Sequence, residues 1–257
     1  MTETALVTGA SRGIGAGIAL VLLRRGWNVA VAATDSARAD AAAARICAEA
    51  GCARDRAIGV GLAVEEPAQW EAALDATEAA FGRLDGLVCN AGISPKRDNA
   101  KIPLAGEGCA EAWRQTFAVN VHGCVTGVRQ FAARRLERGL RGGSVVVISS
   151  LAARVGFPFV SSYYSASKAA LLGFVRAAAH DLGAHGMRLN AVAPGRIETD
   201  MVRESPQGVN ESIALHTALG RMGTPEELGE AVEFLLSQRA SFITGTCLNV
   251  TGGWSET

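Results

Sequence analysis

Tyr164 and Lys168 stand four residues apart in the run Tyr164-Ser165-Ala166-Ser167-Lys168. On a helix that spacing places an ammonium beside a phenol. A neighbouring cation favours phenolate and draws a tyrosine pKa down from about 10, which makes Tyr164 a candidate general acid/base. The chain has only two tyrosines, and Tyr163 does not lie four before the lysine. Taken alone, the pair is an ordinary solvated helix face. Its company changes that: Cys89-Asn90-Ala91-Gly92, Ser149-Ser150 and Pro194-Gly195 each follow an apolar run, and Asn120 sits in a long helical stretch. In open α/β sheets, ligands bind at the C-terminal ends of strands.

A second constellation precedes it. Thr8-Gly9-Ala10-Ser11-Arg12-Gly13-Ile14-Gly15 lies between the first apolar run and an apolar helix. Glycines there permit a tight turn and let backbone N–H groups approach a pyrophosphate at a helix N-terminus. In that position the loop points to a dinucleotide rather than to a plain turn. Asp35 stands twenty residues after Gly15, where an acid often meets the adenosine ribose. The second strand, however, ends at about Ala33-Thr34, so Asp35 falls one or two residues past that place. Arg12, Thr34, Ser36 and Arg38 can instead surround a 2′-phosphate, which favours NADP(H) and leaves NAD(H) open.

Strands must carry these residues. Apolar runs at Ala5–Thr8, Val29–Ala33, Ala57–Val64, Gly86–Cys89, Ser144–Ile148, Arg188–Val192 and Cys247–Val250 alternate with helical patterns at Ile14–Arg25, Ala37–Ala50, Pro67–Phe81, Ala110–Arg138 and Ser162–Ala184. A last helix opens at Thr224-Pro225-Glu226-Glu227, a capping sequence. Strict βα alternation predicts a doubly wound, Rossmann-type parallel sheet of about seven strands with helices on both faces. The expectation is one domain over residues 1–257, interrupted by a polar insertion at about 198–221 suited to a substrate loop.

Composition removes other classes. The 257 residues carry 25 basic and 25 acidic side chains, for zero net charge. No basic footprint for nucleic acid follows, and no apolar run approaches the roughly 18 residues of a membrane span. The first residues already read as strand rather than as a signal peptide, so the expected location is cytoplasmic. The six cysteines form no Cys-x-x-Cys pair and read as small buried hydrophobes. His180 and His185, five apart, make a poor chelate, and no metal is expected.

Together the ordered motifs resemble the short-chain dehydrogenase/reductase family over essentially the whole chain. The resemblance implies that Gly9, Ser11, Arg12, Gly13, Ile14, Gly15, Thr34, Val64, Asn90, Ala91, Gly92, Pro194, Gly195, Ile197 and Thr199 bind the cofactor, with Tyr164 and Lys168 also touching it. It implies a catalytic set of Asn120, Ser150, Tyr164 and Lys168, in which Ser150 polarises the substrate and Asn120 positions a water joining the lysine to solvent. The early part of the chain looks most like 3-oxoacyl-[acyl-carrier-protein] reductases, which supports NADP(H). The family also suggests a homotetramer packed through the long helices and the C-terminal segment. Three departures stand out: Cys89 replaces a frequent asparagine, Ala63 replaces an acid or amide near the adenine, and Ser150 and Tyr164 are one residue further apart than usual. The last leaves Ser149 a rival to Ser150.

The expected reaction is reversible hydride transfer between a nicotinamide and a carbonyl or secondary alcohol. Free ketones, carrier-bound 3-oxoacyl groups, and sugars or polyols remain open as substrates. A catalytically silent dinucleotide-binding regulator uses the same fold, but it would lack part of the catalytic set, and none is missing. Superfamily epimerases and dehydratases need more chain after Ala193 than is present. Ser94, Phe157 and Phe159 are candidate pocket residues beside Tyr163 and the stretches 93–96 and 151–159. The phenylalanines can equally be core or a subunit contact. Arg134, Arg135, Arg138 and Arg141 form a basic cluster that is either a solvated face or a dock for an acidic carrier protein.

Overall fold

The computed structural model describes residues 2–98, 100–199 and 216–254. Seven strands form one sheet: β1 (Thr4–Val7), β2 (Asn28–Ala33), β3 (Ala57–Gly61), β4 (Gly86–Cys89), β5 (Ser144–Ile148), β6 (Arg188–Pro194) and β7 (Cys247–Val250). Every neighbouring pair is parallel, in the order β3-β2-β1-β4-β5-β6-β7. The chain reverses direction across the sheet at β1 and β4, which makes their C-terminal ends the switch point where such sheets bind ligands. Helices α1 (Gly13–Arg24), α2 (Ser36–Ala50), α3 (Pro67–Phe81), α4 (Cys109–Phe117), α5 (Cys124–Glu137), α6 (Ser162–Gly183) and α7 (Pro225–Leu236) connect the strands. A two-residue antiparallel ribbon, Lys96–Arg97 with Ala100–Lys101, lies outside the sheet.

Both sheet faces are covered, as the uniform apolar character of the strands requires. Alternate residues separate two cores. Leu6, Leu87, Val145 and Val147 face one core with Trp70, Phe131 and Leu171. Ala5, Val7, Val88, Val146 and Ile148 face the other with Ile18, Leu22, Ile46 and Leu235. Among the described residues, no helix is long and apolar enough to cross a membrane.

Three expected boundaries move. The third strand stops at Gly61 rather than Val64, because α3 claims the backbone beyond it: Ala63 N–H donates to Gln69 Oε1 (2.7 Å), and Val64 O accepts from Trp70 Nε1 (2.9 Å). β6 runs past Val192 to Pro194, and Gly195 N–H still reaches Val250 O at 2.9 Å. The helix expected over Ala110–Arg138 is two helices joined by a π turn at Ala118–Gly123. Of the insertion at 198–221, positions 200–215 lie outside the described residues.

The capping sequence forms as written. Thr224 Oγ1 accepts from Glu227 N–H (3.2 Å), Glu227 Oε2 accepts from Thr224 N–H (2.9 Å), and Arg221 grips the same carboxylate at 2.6 and 2.8 Å. Thr224→Ala is expected to lower unfolding free energy by about 1 kcal/mol, read as a shift of the denaturant midpoint at unchanged slope.

Candidate active site

The glycine loop closes between β1 and α1 because three side chains are absent. Gly9 and Gly13 have φ of +63° and +57°, a region favourable to glycine. A Cβ on Gly15 would fall 2.5 Å from Gly9 O and 2.6 Å from Asn90 Nδ2. Thr8 and Asn90 hold the turn from the β4 side. Thr8 Oγ1 donates to Val88 O (3.2 Å) and accepts from the N–H groups of Asn90 (2.9 Å) and Ala91 (3.0 Å). Asn90 Nδ2 donates to Thr8 O (2.9 Å) and Gly9 O (3.1 Å). The result is a rigid cradle at a helix N-terminus that fits a dinucleotide pyrophosphate.

The other expected cofactor residues surround this cradle. Ser11 O accepts from Arg45 Nη2 (3.1 Å), Arg12 is exposed at the α1 N-cap, and Ile14 is half-buried on the first turn. Thr34 is exposed just beyond β2. Asp35 follows it as the α2 N-cap, its Oδ1 accepting from Arg38 N–H at 2.7 Å. Val64 is buried beneath the loop after β3. Pro194 ends β6, Gly195 lies against Thr251, and buried Ile197 makes a parallel bridge with Gly223. The Thr199 methyl lies across from Gly13, bringing this stretch to the open side of the loop.

At the C-terminal end of β5, the Tyr164 phenol lies beside the Ser150 hydroxyl. Ser150 Oγ accepts from Ala152 N–H (3.1 Å), which fixes its rotamer at the head of the 3₁₀ turn Leu151–Ala153. Ser149, the rival, is buried, with its hydroxyl donating to Lys168 O at 2.9 Å. Strand alternation turns it away from the phenol. Lys168 is buried below Tyr164; its Nζ lies 5.7 Å from the ring centroid and donates to Ile148 O at 2.8 Å.

Burial lowers the Lys168 pKa to about 8, partly opposed by Cys124 and Cys89 behind it. The expectation that the lysine draws the phenol down is not met. Burial raises the Tyr164 pKa, and the opposing influence is the neighbouring Ser150 hydroxyl, not the ammonium. Desolvation dominates both groups.

Asn120 sits inside the π turn, 1% exposed. Its Oδ1 accepts from Ile93 N–H (2.7 Å), and its Nδ2 donates to Ile93 O (3.0 Å) and Ser167 Oγ (3.0 Å). The side chain therefore clamps the loop after β4 to α6, with both of its amide N–H groups engaged. A Cβ on Gly92 would lie 3.3 Å from both Asn120 Oδ1 and Lys168 Nζ. Gly92→Ala is expected to reduce kcat about tenfold by displacing these groups. Steady-state kinetics alongside a thermal melt will separate that effect from unfolding.

The pocket candidates divide. Ser94 is exposed, 3.3 Å from Ser161 Oγ. Phe157 and Phe159 stack at 5.4 Å near the surface, and Phe157 meets Trp254 edge-on at 5.0 Å. Tyr163 is not a pocket wall: it is fully buried with Ile102, Cys109 and Ala112, and its hydroxyl donates to Pro95 O.

Sequence reasoning named Thr8 without its bracing role and overlooked Arg45, Ser167 and Trp254 as contacts of the site. Thr8 opens the glycine loop and was legible as part of it. Arg45, Ser167 and Trp254 had no local signal, since each acts through a partner distant in sequence. The basic cluster is engaged within the fold. Arg134 pairs with Asp75 (2.6 Å) and Glu78 (2.7 Å), and Arg138 with Glu78 (2.8 Å). Arg135 is buried against the carbonyls of Leu84, Gly142 and Arg141, and Arg141 donates to Ala184 O. Among the described residues, no group of three or more His, Cys, Asp or Glu is placed to hold a metal.

The family model described as enoyl-(acyl carrier protein) reductase matches residues 9–255. An L-rhamnose 1-dehydrogenase (NAD(P)(+)) of Azotobacter vinelandii is 36% identical over 253 residues, covering 98% of this chain and 96% of that protein. A 3-oxoacyl-[acyl-carrier-protein] reductase of Staphylococcus aureus is 34% identical over 254 residues, covering 98% of each. The solved 3-oxoacyl-[acyl-carrier protein] reductase of Brucella melitensis superposes with a TM-score of 0.90 at 32% identity, covering 99% of this chain and 92% of that one.

Proposed function

Because the chain belongs to the short-chain dehydrogenase/reductase family, and so is an NAD(P)-dependent oxidoreductase acting on an alcohol or carbonyl, we propose that it is an NADP(H)-dependent enzyme interconverting a ketone or 3-oxoacyl group with a secondary alcohol, with Tyr164 as general acid/base. The observation that carries this reading is the Tyr164 phenol beside the Ser150 hydroxyl, with Lys168 Nζ beneath the ring, at the same end of the sheet as the glycine cradle. When bound, the nicotinamide supplies or accepts the hydride. Ser150 and Tyr164 hydrogen-bond the substrate oxygen and stabilise its developing charge. Tyr164 gives that oxygen its proton in reduction and takes it back in oxidation. Lys168 holds the replacement proton, and Asn120 fixes the loop and helix that enclose it. Residues 1–257 act as one cofactor-binding domain, with 198–221 as the substrate loop.

The preference for NADP(H) rests on the adenosine end. Asp35 Oδ1 caps α2, while exposed Arg12 at the glycine loop and exposed Thr34 and Arg38 just beyond β2 offer cationic and hydroxyl donors. Arg12→Ala is expected to lower kcat/KM for NADPH by about tenfold and change the NADH value little. A clear native preference for NADH would overturn this choice.

The engagement of the arginine cluster within the fold favours a free small-molecule substrate over carrier docking at that face. A second reading, a sugar or polyol dehydrogenase, is favoured by the rhamnose dehydrogenase likeness. Screening ketones, 3-oxoacyl thioesters, sugars and polyols with both cofactors, by NAD(P)H absorbance, tests all of these. Exposed Trp113, Leu136, Phe242 and Leu248 supply apolar surface for a homotetramer built through the long helices and the C-terminal segment. Sedimentation would establish the assembly.

A further inference from the structure

Helix α2 ends on a Schellman turn. Gly51 has φ +67°, its N–H donates to Ala48 O (3.1 Å), and the Cys52 N–H donates to Cys47 O (3.2 Å). This motif characteristically brings the side chains at the two Cys positions together, usually as an apolar contact. Here both are cysteines, and their sulfurs stand 2.6 Å apart. Cys47 is 1% exposed, with its S–H directed at Ala53 O (3.0 Å) and Cys52 O (3.3 Å), whereas Cys52 is half-buried. The pair therefore has one deep member and one that solvent reaches.

We propose that Cys47 and Cys52 are a reactive thiol pair that an aliphatic disulfide converts to an intramolecular disulfide, sealing the C-terminal turn of α2. The Cys52 thiolate attacks one sulfur of the reagent; the reagent's S–S bond breaks and one thiolate leaves. Cys47 then loses its proton to solvent, and its thiolate attacks Cys52 Sγ, expelling the second thiolate. The two protein sulfurs lose two electrons in total, the reagent gains them, and the two protein protons end on the released thiols. Burial pushes the Cys47 thiol up to about 11, which leaves the first attack to the more exposed Cys52.

The test uses the native chain incubated with glutathione disulfide at about pH 8, then alkylated in denaturant and cleaved with trypsin. Cleavage after Arg45 and Arg54 releases Ile46–Arg54, which contains these two cysteines and no other. The expected product is that peptide lacking two hydrogens and carrying no alkyl group, restored by reduction. Recovery of the doubly alkylated peptide, or of glutathione stably attached to Cys52 beside a free Cys47, would overturn the proposal. Cys47→Ala should accumulate the mixed disulfide at Cys52, while Cys52→Ala should leave Cys47 unmodified. The reverse pattern would refute the assigned order of attack.

Discussion

Tyr164→Phe is expected to remove all but about one part in a thousand of the turnover, with dinucleotide affinity nearly unchanged. The phenol lies beside the Ser150 hydroxyl, and burial raises its pKa, so it stays protonated through neutral pH. It is therefore ready to donate in the reductive direction. Phenylalanine preserves the ring and its packing and deletes only that donor. The structure supplies no spare: the one other tyrosine is fully buried and directed at Pro95 O. Stopped-flow turnover with a titration of cofactor fluorescence measures both quantities, and near-native activity would remove Tyr164 from its role. The wild-type pH profile should carry the same signature. Lys168 loses its charge as pH rises through about 8, so reductive kcat is expected to fall on the alkaline side near that value.

Gly15→Ala should have a comparably large effect, at the other end of the cofactor. Its methyl would need to occupy a position 2.5 Å from Gly9 O and 2.8 Å from Ala10 Cα, both backbone, so no side chain can swing aside. The loop must open, and the Asn90 amide must give up its hold on Thr8 O and Gly9 O. Dinucleotide affinity is expected to fall about a hundredfold, the scale of losing two well-placed backbone contacts. Overpacking should also cost about 1–3 kcal/mol of stability. Calorimetric titration and chemical denaturation report the two effects separately; unchanged affinity would mean that the cradle is not the pyrophosphate site.

How much of this was legible depended on whether a residue's partner lay nearby in sequence. The βα alternation, the glycine loop and the Thr224 cap are local patterns, and the structure realises them nearly residue for residue. The Tyr164–Lys168 spacing was equally plain, but its electrostatics were not. A helix places the ammonium near the ring, while only burial, invisible in a spacing, decides which way both groups shift. Arg134 and Arg138 read as an exposed basic face because Asp75 and Glu78, which neutralise them, belong to α3 far upstream. Tyr163 looked like a pocket wall because it adjoins Tyr164; consecutive helix positions point about 100° apart, and this one enters the core. The Asn120 environment was hidden most completely, since Ala118-Val119-Asn120-Val121-His122-Gly123 carries no mark distinguishing a π turn from ordinary helix.

That turn makes chain length itself a constraint. A π turn holds one residue more than the α-helix around it, about 100° of rotation. The stripe through which α4 meets α6 and the one through which α5 meets α3 and β4 are therefore set in register by a count of residues rather than by any one side chain. Substitutions at exposed positions leave that count alone. Removing a single residue between Ala118 and Gly123 would restore regular winding and turn one stripe away from its partner. Either Asn120 would leave Ile93 and Ser167, or Phe131 would leave the core. This stretch of helix behaves like a reading frame, tolerant of spelling and intolerant of frameshift.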